Sequence, residues 1–540
     1  MIGRLVYKSI YAASLVAITS LSTTASFAAL LDQTKVDNSS AIYAPGGTIS
    51  KSLIEQIGMG QGDEFTGASS IYLINRDPFR SIRRGRQLFQ RKFSEDEGLG
   101  PRVNFDSTGD VTQSRGLGAG LTDSCSTCHG SPKGSAGFGG NVASFPDGRD
   151  APHLFGLGLV EQLADEITME LRATRQQAID RAAQRNQRVT LRLRAKGVDY
   201  GRITAEPDGT VDTSKVDGIN SDLRVRPFFA EGRTASMREF VIGAFKDEMG
   251  MEAWDPILCE VTDPDNPRAM TSPSGFHYDP ARDSFERPPV CADWEDGDND
   301  AVTAEIDPAL VDYMEFYLLN YFKPATGPGN PFAREGSRLM RSIGCTDCHT
   351  QQMRVSRDRR VADVETKHDA EQGIFNALFA EANALFSTIE DGDTYPKLVP
   401  NGDEFIVNNF FSDLKRHDLG PAFHERDYDG TIRTEFMTEP LWGVGSTAPY
   451  GHDGRSINLD QVIRRHGGEA EDSKRRYVRL RFEDQLKIRE FLNTLVLFPP
   501  DDTASNLNPG NPGSNDPQDP ANHGNIALPA LYQIHEYGPE

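Results

Sequence analysis

The sequence contains Cys125-Ser126-Thr127-Cys128-His129 and, 220 residues later, Cys345-Thr346-Asp347-Cys348-His349. These two stretches use four of the six cysteines in 540 residues. In Cys-x-x-Cys-His the two thiols form thioethers with haem vinyl groups and the adjacent imidazole ligates the iron, which requires this spacing. A thioredoxin-like site would need a surrounding βαβ pattern, and a zinc site would need further Cys or His nearby; both are lacking. The sequence therefore predicts two covalently bound haem c groups, attached through Cys125, Cys128, Cys345 and Cys348 and ligated by His129 and His349.

The N-terminus is typical of a secretory signal peptide over residues 1–28. Arg4 and Lys8 precede the mostly apolar stretch 12–21, and Ser26-Phe27-Ala28 ends in a small residue suited to cleavage. The apolar stretch is short for a membrane span, so we expect no stable span, with an uncleaved anchor as the alternative. Export predicts a periplasmic protein and permits a disulfide between Cys259 and Cys291. Two buried free thiols are the other interpretation of that pair.

The chain is strongly acidic, with a formal net charge of −23. This charge argues against nucleic acid or an anionic membrane surface as a partner. It is compatible with steering a basic electron-transfer partner, and equally with a surface that only keeps the protein in solution.

The motif spacing and composition divide the chain into two haem domains with flanking segments. We predict a signal peptide at 1–28, an N-terminal extension at 29–78 and an N-terminal catalytic haem domain at 79–325 with a loop insertion at 260–301. A C-terminal electron-transfer cytochrome c domain follows at 326–498. Residues 499–540 form a tail rich in Pro, Asn and Gly.

Helical periodicity surrounds both motifs. Gly85-Arg86-Gln87-Leu88-Phe89 and Gly336-Ser337-Arg338-Leu339-Met340 predict a helix before each motif, and 308–322 and 482–498 predict a closing helix after it. Residues 159–196 predict one or two long helices with a solvated charged face. The fold class is therefore predicted as mainly α: two c-type cytochrome domains with long irregular loops and little β structure.

Several longer segments resemble the bacterial di-haem cytochrome c peroxidase superfamily, and within it the di-haem oxidoreductase branch of peroxidases and thiol oxidoreductases. The resemblance covers most of residues 80–498. Its most specific segments are Leu154-Phe155-Gly156-Leu157-Gly158-Leu159, Arg238-Glu239-Phe240 with Asp247-Glu248-Met249-Gly250, Phe411-Ser412-Asp413-Leu414 with His417-Asp418-Leu419-Gly420, Pro440-Leu441-Trp442-Gly443, Ala448-Pro449-Tyr450-Gly451-His452-Asp453-Gly454-Arg455 and His466-Gly467-Gly468-Glu469-Ala470.

The resemblance implies a cytochrome-c-peroxidase-like enzyme that reduces hydrogen peroxide at the N-terminal haem. The C-terminal haem would relay electrons from a small soluble donor, a cytochrome c or a cupredoxin. Glu248 stands where family peroxidases carry a distal Glu, which makes it the candidate general acid-base, with a surface Glu as the plain alternative. The rival functions are a non-catalytic di-haem electron-transfer cytochrome, or a haem oxidase or oxygenase acting on a protein or organic substrate.

The chain departs from the peroxidases at two places. Their inter-haem Trp segment corresponds to the stretch 228–233, which has no Trp, so Phe229 or Trp442 is the candidate replacement. Their removable distal His corresponds to Phe145, which predicts a catalytic haem that needs no activation. His153 is the next His and is an alternative cap for that iron.

The second ligand of the relay haem is assigned to Met437 on the resemblance, because a thioether would raise the haem potential. In strict alignment with the peroxidases, Glu435 occupies the position of their ligand Met. His417, His452 and His466 are further alternatives. Arg455 is predicted to pair with a haem propionate, with a surface Arg as the alternative. Family peroxidases also hold calcium, and the loop 296–300 offers clustered oxygen ligands. Because Ala301 stands where a helix-loop-helix calcium site has Gly, a hydrated acidic loop is preferred there.

Overall fold

The computed structural model describes residues 66, 69–100, 122–129, 150–297, 301–320, 326, 329–368, 378–389, 397–426 and 430–495. Its helices are α1 Ser70–Arg76, α2 Pro78–Gln90, α3 Cys125–His129, α4 Leu157–Arg185, α5 Met237–Ala244, α6 Pro256–Val261, α7 Pro308–Leu319, α8 Pro331–Ser342, α9 Leu459–Arg465, α10 Glu471–Arg479 and α11 Phe482–Asn493. Its strands are β1 Val189–Ala195, β2 Val198–Ala205, β3 Val211–Asp212, β4 Met270–Thr271, β5 His277–Tyr278, β6 Met353–Val355, β7 Ala362–His368, β8 Leu378–Ala384, β9 Phe386–Ile389, β10 Lys397–Pro400, β11 Phe405–Val407, β12 Arg416–Asp418, β13 Glu425–Arg426, β14 Ile432–Arg433 and β15 Glu435–Met437.

The prediction of a mainly α fold with little β structure is wrong. Helices account for 39% and strands for 15% of the described residues. The described strands form one three-stranded antiparallel sheet, β1-β2-β3, and several two-stranded ribbons. Most of these strands are only two to four residues long, so they show too little alternation of apolar and polar residues to be recognised in the sequence.

The charged stretch 159–196 contains one long helix and then a strand, where one or two helices were predicted. Helix α4 ends at Asn186, whose φ of 48° is left-handed and so stops the helix. Beyond it, β1 alternates Val189, Leu191 and Leu193 with Thr and Arg, a period of two residues that suits a strand. Within the described part of the chain, no helix combines the length and the apolar character that crossing a membrane requires.

Two pairs of crossing helices repeat the predicted arrangement around the motifs. Helix α2 packs on the closing helix α7, and α8 packs on the closing helix α11. Each crossing occurs at a glycine: a Cβ on Gly85 would lie 2.2 Å from the Tyr313 carbonyl oxygen, and one on Gly336 would lie 1.8 Å from the Lys487 carbonyl oxygen. Because glycine has no Cβ, the two helix backbones of each pair can lie in direct contact at these positions.

The apolar core of the N-terminal half continues into the C-terminal half. Val355, Phe410 and Trp442 belong to the same buried cluster as Phe89 on α2 and Tyr317 on α7. A second buried apolar cluster lies around α8 and α11. Its members are Met340, Ile343, Phe411, Leu459, Tyr477, Ile488, Leu492 and Leu495. Phe410 and Phe411 are thus adjacent residues of two different cores, which holds the two halves together at this point.

A fully buried ion cluster fastens α5 to α7. The Arg238 guanidinium contacts Asp255 and lies 2.7 Å from Asp312 and 3.0 Å from Glu315. The neighbouring Glu239 carboxylate accepts from the backbone N–H groups of Ala235 and Glu286. The segment Arg238-Glu239-Phe240 therefore has a structural role, because a buried charge persists only where it is paired.

The predicted disulfide is confirmed: Cys259 and Cys291 are bonded, with their Cα atoms 5.7 Å apart. The bond closes most of the insertion 260–301, whose described residues hold the last two residues of α6, the hairpin β4-β5 and otherwise irregular backbone. The predicted signal peptide and the 499–540 tail lie outside the described residues.

Gly336→Ala tests the helix crossing between α8 and α11. The added methyl would meet the Lys487 carbonyl, so we expect the free energy of unfolding to fall by about 1–3 kcal/mol, despite the better helix propensity of Ala. Gly329→Ala is the matched control, since a Cβ at that exposed position meets nothing within 4 Å. Denaturant unfolding followed by circular dichroism measures both. Equal stability of the two variants would contradict the account.

Candidate functional site

Both Cys-x-x-Cys-His motifs line one cavity of about 850 Å³. Its wall is mostly apolar and includes Phe89, Phe229, Phe436 and Trp442 from both halves of the chain. A cavity of this volume and lining is typical of a bound cofactor or ligand. The structure thus brings together the two motifs, which are far apart in the sequence.

The N-terminal motif occupies the short helix α3 and is tied to the end of α2. The Ser124 hydroxyl, just before the motif, donates to the Phe89 carbonyl oxygen at 3.1 Å, and Thr122 donates to the Ser124 carbonyl oxygen at 2.7 Å. Nδ1 of His129 lies 2.7 Å from the carbonyl oxygen of Pro152. Because a carbonyl can only accept, Nδ1 carries the proton and Nε2 keeps its lone pair.

The C-terminal motif shows the same arrangement. It follows α8 through Gly344 and makes a 3-10 turn, Cys345–Asp347. Nδ1 of His349 donates to the carbonyl oxygen of Phe411 at 3.0 Å. Burial lowers the pKa of His129 and of His349, while the carbonyl hydrogen bonds oppose the shift. Both imidazoles are therefore neutral, with Nδ1 protonated and Nε2 available to a metal.

These residues fit covalently bound haem. An iron-ligating His usually donates its other ring N–H to a carbonyl or carboxylate, which fixes the ring orientation and raises the basicity of the ligating nitrogen. His129 and His349 both meet this condition, and each is preceded by two cysteines that line the cavity. The haem would supply redox chemistry at each site, and the chain holds it through the four thiols and two imidazoles.

Glu248 lies on a π-helical turn, Phe245–Met249, and lines the cavity. Its carboxylate is near the first motif: the pKa of the Cys128 thiol is raised first by burial and then by the charge of Glu248. Next to it, Asp247 accepts from Arg233 at 2.8 Å, and Arg233 also pairs with Glu286 at 2.7 Å. This ion network holds the turn at the cavity wall, which Arg233, Asp247 and Glu248 all line.

Another carboxyl residue of the cavity wall, Glu439, was missed in the sequence. It immediately precedes Pro440-Leu441-Trp442-Gly443 and lines the cavity. Burial raises its pKa to about 7. A polar residue directly before a mainly apolar motif segment was the available signal, although most Glu residues in such positions face solvent.

His153 joins the first motif to Trp442. Its Nδ1 accepts from the Phe155 N–H at 3.2 Å, and its Nε2 therefore donates to the Trp442 carbonyl oxygen at 3.0 Å. With both ring nitrogens engaged, His153 has no lone pair for the iron held by His129. The predicted equivalent of the removable ligand, Phe145, lies outside the described residues.

Met437 and Glu435 occupy strand β15, which pairs with β12. Met437 lines the cavity, and its sulfur lies against Gly232: a Cβ on that glycine would be 2.8 Å from Sδ. Glu435 is exposed on the same strand. Of these two candidates for the second ligand, only Met437 lies on the cavity wall.

Two of the histidine candidates differ in how their rings are held. Nδ1 of His417 lies 2.7 Å from Glu469 and Nε2 lies 2.9 Å from Asp413, so carboxylates engage both nitrogens. The His452 ring stacks on Phe436, with centroids 3.8 Å apart. Cys348, Asp413 and His417 are close enough to share a metal ion, but Cys348 is already a predicted haem attachment.

Arg455 is exposed and pairs with Asp453 at 3.4 Å, which places it at the surface. Residues 298–300 of the predicted calcium loop lie outside the described residues. Asp296 accepts from the Ala301 N–H at 3.1 Å, and the Gly297 N–H donates to Glu252 at 3.0 Å. Calcium and the propionate role of Arg455 stay predictions.

Replacing Cys125 and Cys128 with Ser tests the haem assignment. The purified wild-type chain should carry two haems, and the double variant should carry one, because each motif attaches its own haem. Haem content by pyridine haemochrome and intact mass measures this. The matched control is Cys259→Ser with Cys291→Ser, which removes the disulfide and should leave two haems attached. A wild-type mass without any haem increment would contradict the assignment.

Comparison with known proteins supports one relationship. No curated protein matches the chain. Among solved structures, the one titled "Kuenenia stuttgartiensis Hydrazine Synthase Pressurized with 20 bar Xenon" is 14% identical to this chain, with a TM-score of 0.20. The match covers 35% of this chain and 56% of that chain. Residues 404–495 match the family described as "Di-haem oxidoreductase, putative peroxidase". That segment contains Trp442 and His466 and begins after both haem motifs. Over residues 404–495 the chain is similar to the di-haem oxidoreductase family, which supports the branch that the sequence resemblance indicated.

Proposed function

We propose that the chain is a periplasmic di-haem oxidoreductase that reduces hydrogen peroxide at the haem held by His129. Electrons would come from a small soluble donor through the haem held by His349. The observation that carries the proposal is that two motif histidines, each tied by Nδ1 to a backbone carbonyl, line one cavity together with Glu248.

Glu248 is the residue we assign to proton transfer. Reduction of peroxide requires a base to take a proton from the oxygen that binds and to return it to the oxygen that leaves. The π-helical turn and its ion network hold this carboxyl at the cavity wall near Cys128. A π-helical turn is uncommon in proteins and is often found at functional sites, which supports the assignment.

A bonded path supports communication between the two haem sites. From the first site, His129 bonds to Pro152, and the next residue, His153, bonds to the Trp442 carbonyl. The Trp442 indole packs edge-on against Phe410, with centroids 5.0 Å apart. These two contacts support Trp442 as the replacement for the inter-haem Trp of the peroxidases.

The path continues to the second site through backbone groups. The Leu441 N–H, next to Trp442, donates to the Phe410 carbonyl oxygen at 3.1 Å. The following residue, Phe411, accepts from Nδ1 of His349. Covalent and hydrogen bonds therefore connect the two motif histidines, which supports a relay of electrons between the two sites.

The proposed location and partner follow from the disulfide and the net charge. The disulfide between Cys259 and Cys291 supports an oxidising compartment such as the periplasm. The net charge of −23 supports a donor protein with a basic docking surface.

Glu248→Gln tests the proton-transfer role. The amide keeps the size of the side chain but cannot accept and return a proton, so peroxide-dependent oxidation of a reduced donor should slow about 100-fold while both haems stay attached. Steady-state turnover and haem content are measured together. Glu404→Gln, at an exposed surface ion pair, is the matched control and should keep wild-type turnover. An unchanged rate in Glu248→Gln would remove Glu248 from the mechanism.

A further inference from the structure

A third histidine is held in the same way as the two motif histidines. Nδ1 of His466 donates to the carbonyl oxygen of Val462 at 2.7 Å. The acceptor is again a carbonyl, so Nδ1 carries the proton and Nε2 keeps its lone pair. Among His129, His349 and His466, the anchoring distances are 2.7, 3.0 and 2.7 Å.

His466 shares the cavity with His349. It follows helix α9 directly and lines the cavity near Tyr477 and Ile488, residues of the second core. The side chains of His466 and His349 both line this cavity. His466 is thus an imidazole with an unprotonated Nε2 in the wall of the cavity that also holds the second haem motif.

The backbone around His466 is clamped to a second motif segment. The Gly467 N–H donates to the Leu419 carbonyl oxygen at 2.9 Å. Gly468 has a φ of +49°, and a Cβ there would lie 2.1 Å from the Asp418 carbonyl oxygen, so only glycine fits. His466-Gly467-Gly468 therefore interlocks with the strand end that holds Asp418 and Leu419.

Glu469 binds both the His417 ring and the Asp418 backbone, and so accounts for the position of the His417 ring. The Glu469 carboxylate accepts from Nδ1 of His417 at 2.7 Å and from the Asp418 N–H at 2.9 Å. The other nitrogen of His417 bonds to Asp413. His417 is therefore a positioning residue for the loop that carries His466, and it has no nitrogen left for iron.

We propose that Nε2 of His466 is the second axial ligand of the haem whose proximal ligand is His349. The inference rests on the proposed function only in requiring a haem at the second motif. It replaces Met437, whose sulfur packs against Gly232. Two imidazoles hold a haem at a lower potential than one imidazole and one thioether, so this site would be a strong donor of electrons.

His466→Ala in the full-length, haem-loaded protein tests the proposal. Losing the imidazole should convert one low-spin electron paramagnetic resonance signal of the oxidised protein into a high-spin signal, and free imidazole should restore it. Met437→Leu should leave the low-spin signal unchanged, as should the control His277→Ala, which removes an exposed histidine of the hairpin β4-β5. Loss of the low-spin signal in Met437→Leu, or its persistence in His466→Ala, would overturn the proposal.

A measurement on the unmutated protein covers the case in which His466→Ala does not fold. Near-infrared magnetic circular dichroism distinguishes a bis-imidazole haem from an imidazole–thioether haem, and we expect a bis-imidazole band. A thioether band would overturn the proposal. The proposed function is tested separately by the peroxide response of the other haem, so either one can fail without the other.

Discussion

A backbone carbonyl that accepts a hydrogen bond from Nδ1 of each motif histidine is the constraint on which the rest of the site depends. Pro152 and Phe411 provide these carbonyls at 2.7 and 3.0 Å. The bond fixes the tautomer, so the nitrogen that can bind iron is the one left free. Neither carbonyl belongs to the motif whose histidine it binds, so the surrounding fold has to bring both carbonyls into place.

The placement of the two carbonyls depends on the packing between the halves of the chain. Pro152 is followed by His153, whose ring is bonded to the Trp442 carbonyl, and Phe411 is preceded by Phe410, which packs against the Trp442 indole. Trp442 is 4% exposed, so both contacts are buried. Since buried contacts in a close-packed interior resist displacement, a shift at one haem site would be felt at the other.

The sequence allowed prediction of features that are carried by local side-chain patterns. The two motifs, the disulfide and a helix on each side of each motif were predicted, and helices α2, α7, α8 and α11 are present. The strands were missed because most are too short to show a period. The carbonyl anchors at Pro152 and Phe411 could not be found, because any residue provides a carbonyl. Met437 was preferred over His466 because it lies two residues from the family position and a thioether would raise the haem potential, whereas the bonding of each ring nitrogen is visible only in three dimensions.

We propose that one haem site reacts with peroxide and that the chain provides both axial ligands of the other haem. The decisive measurement is electron paramagnetic resonance of the oxidised, as-isolated protein, before and after one equivalent of hydrogen peroxide. We expect one high-spin signal that is lost on adding peroxide, beside a low-spin signal from the haem held by His349. Two low-spin signals that do not respond to peroxide, before and after partial reduction, would contradict it and would indicate an electron-transfer cytochrome.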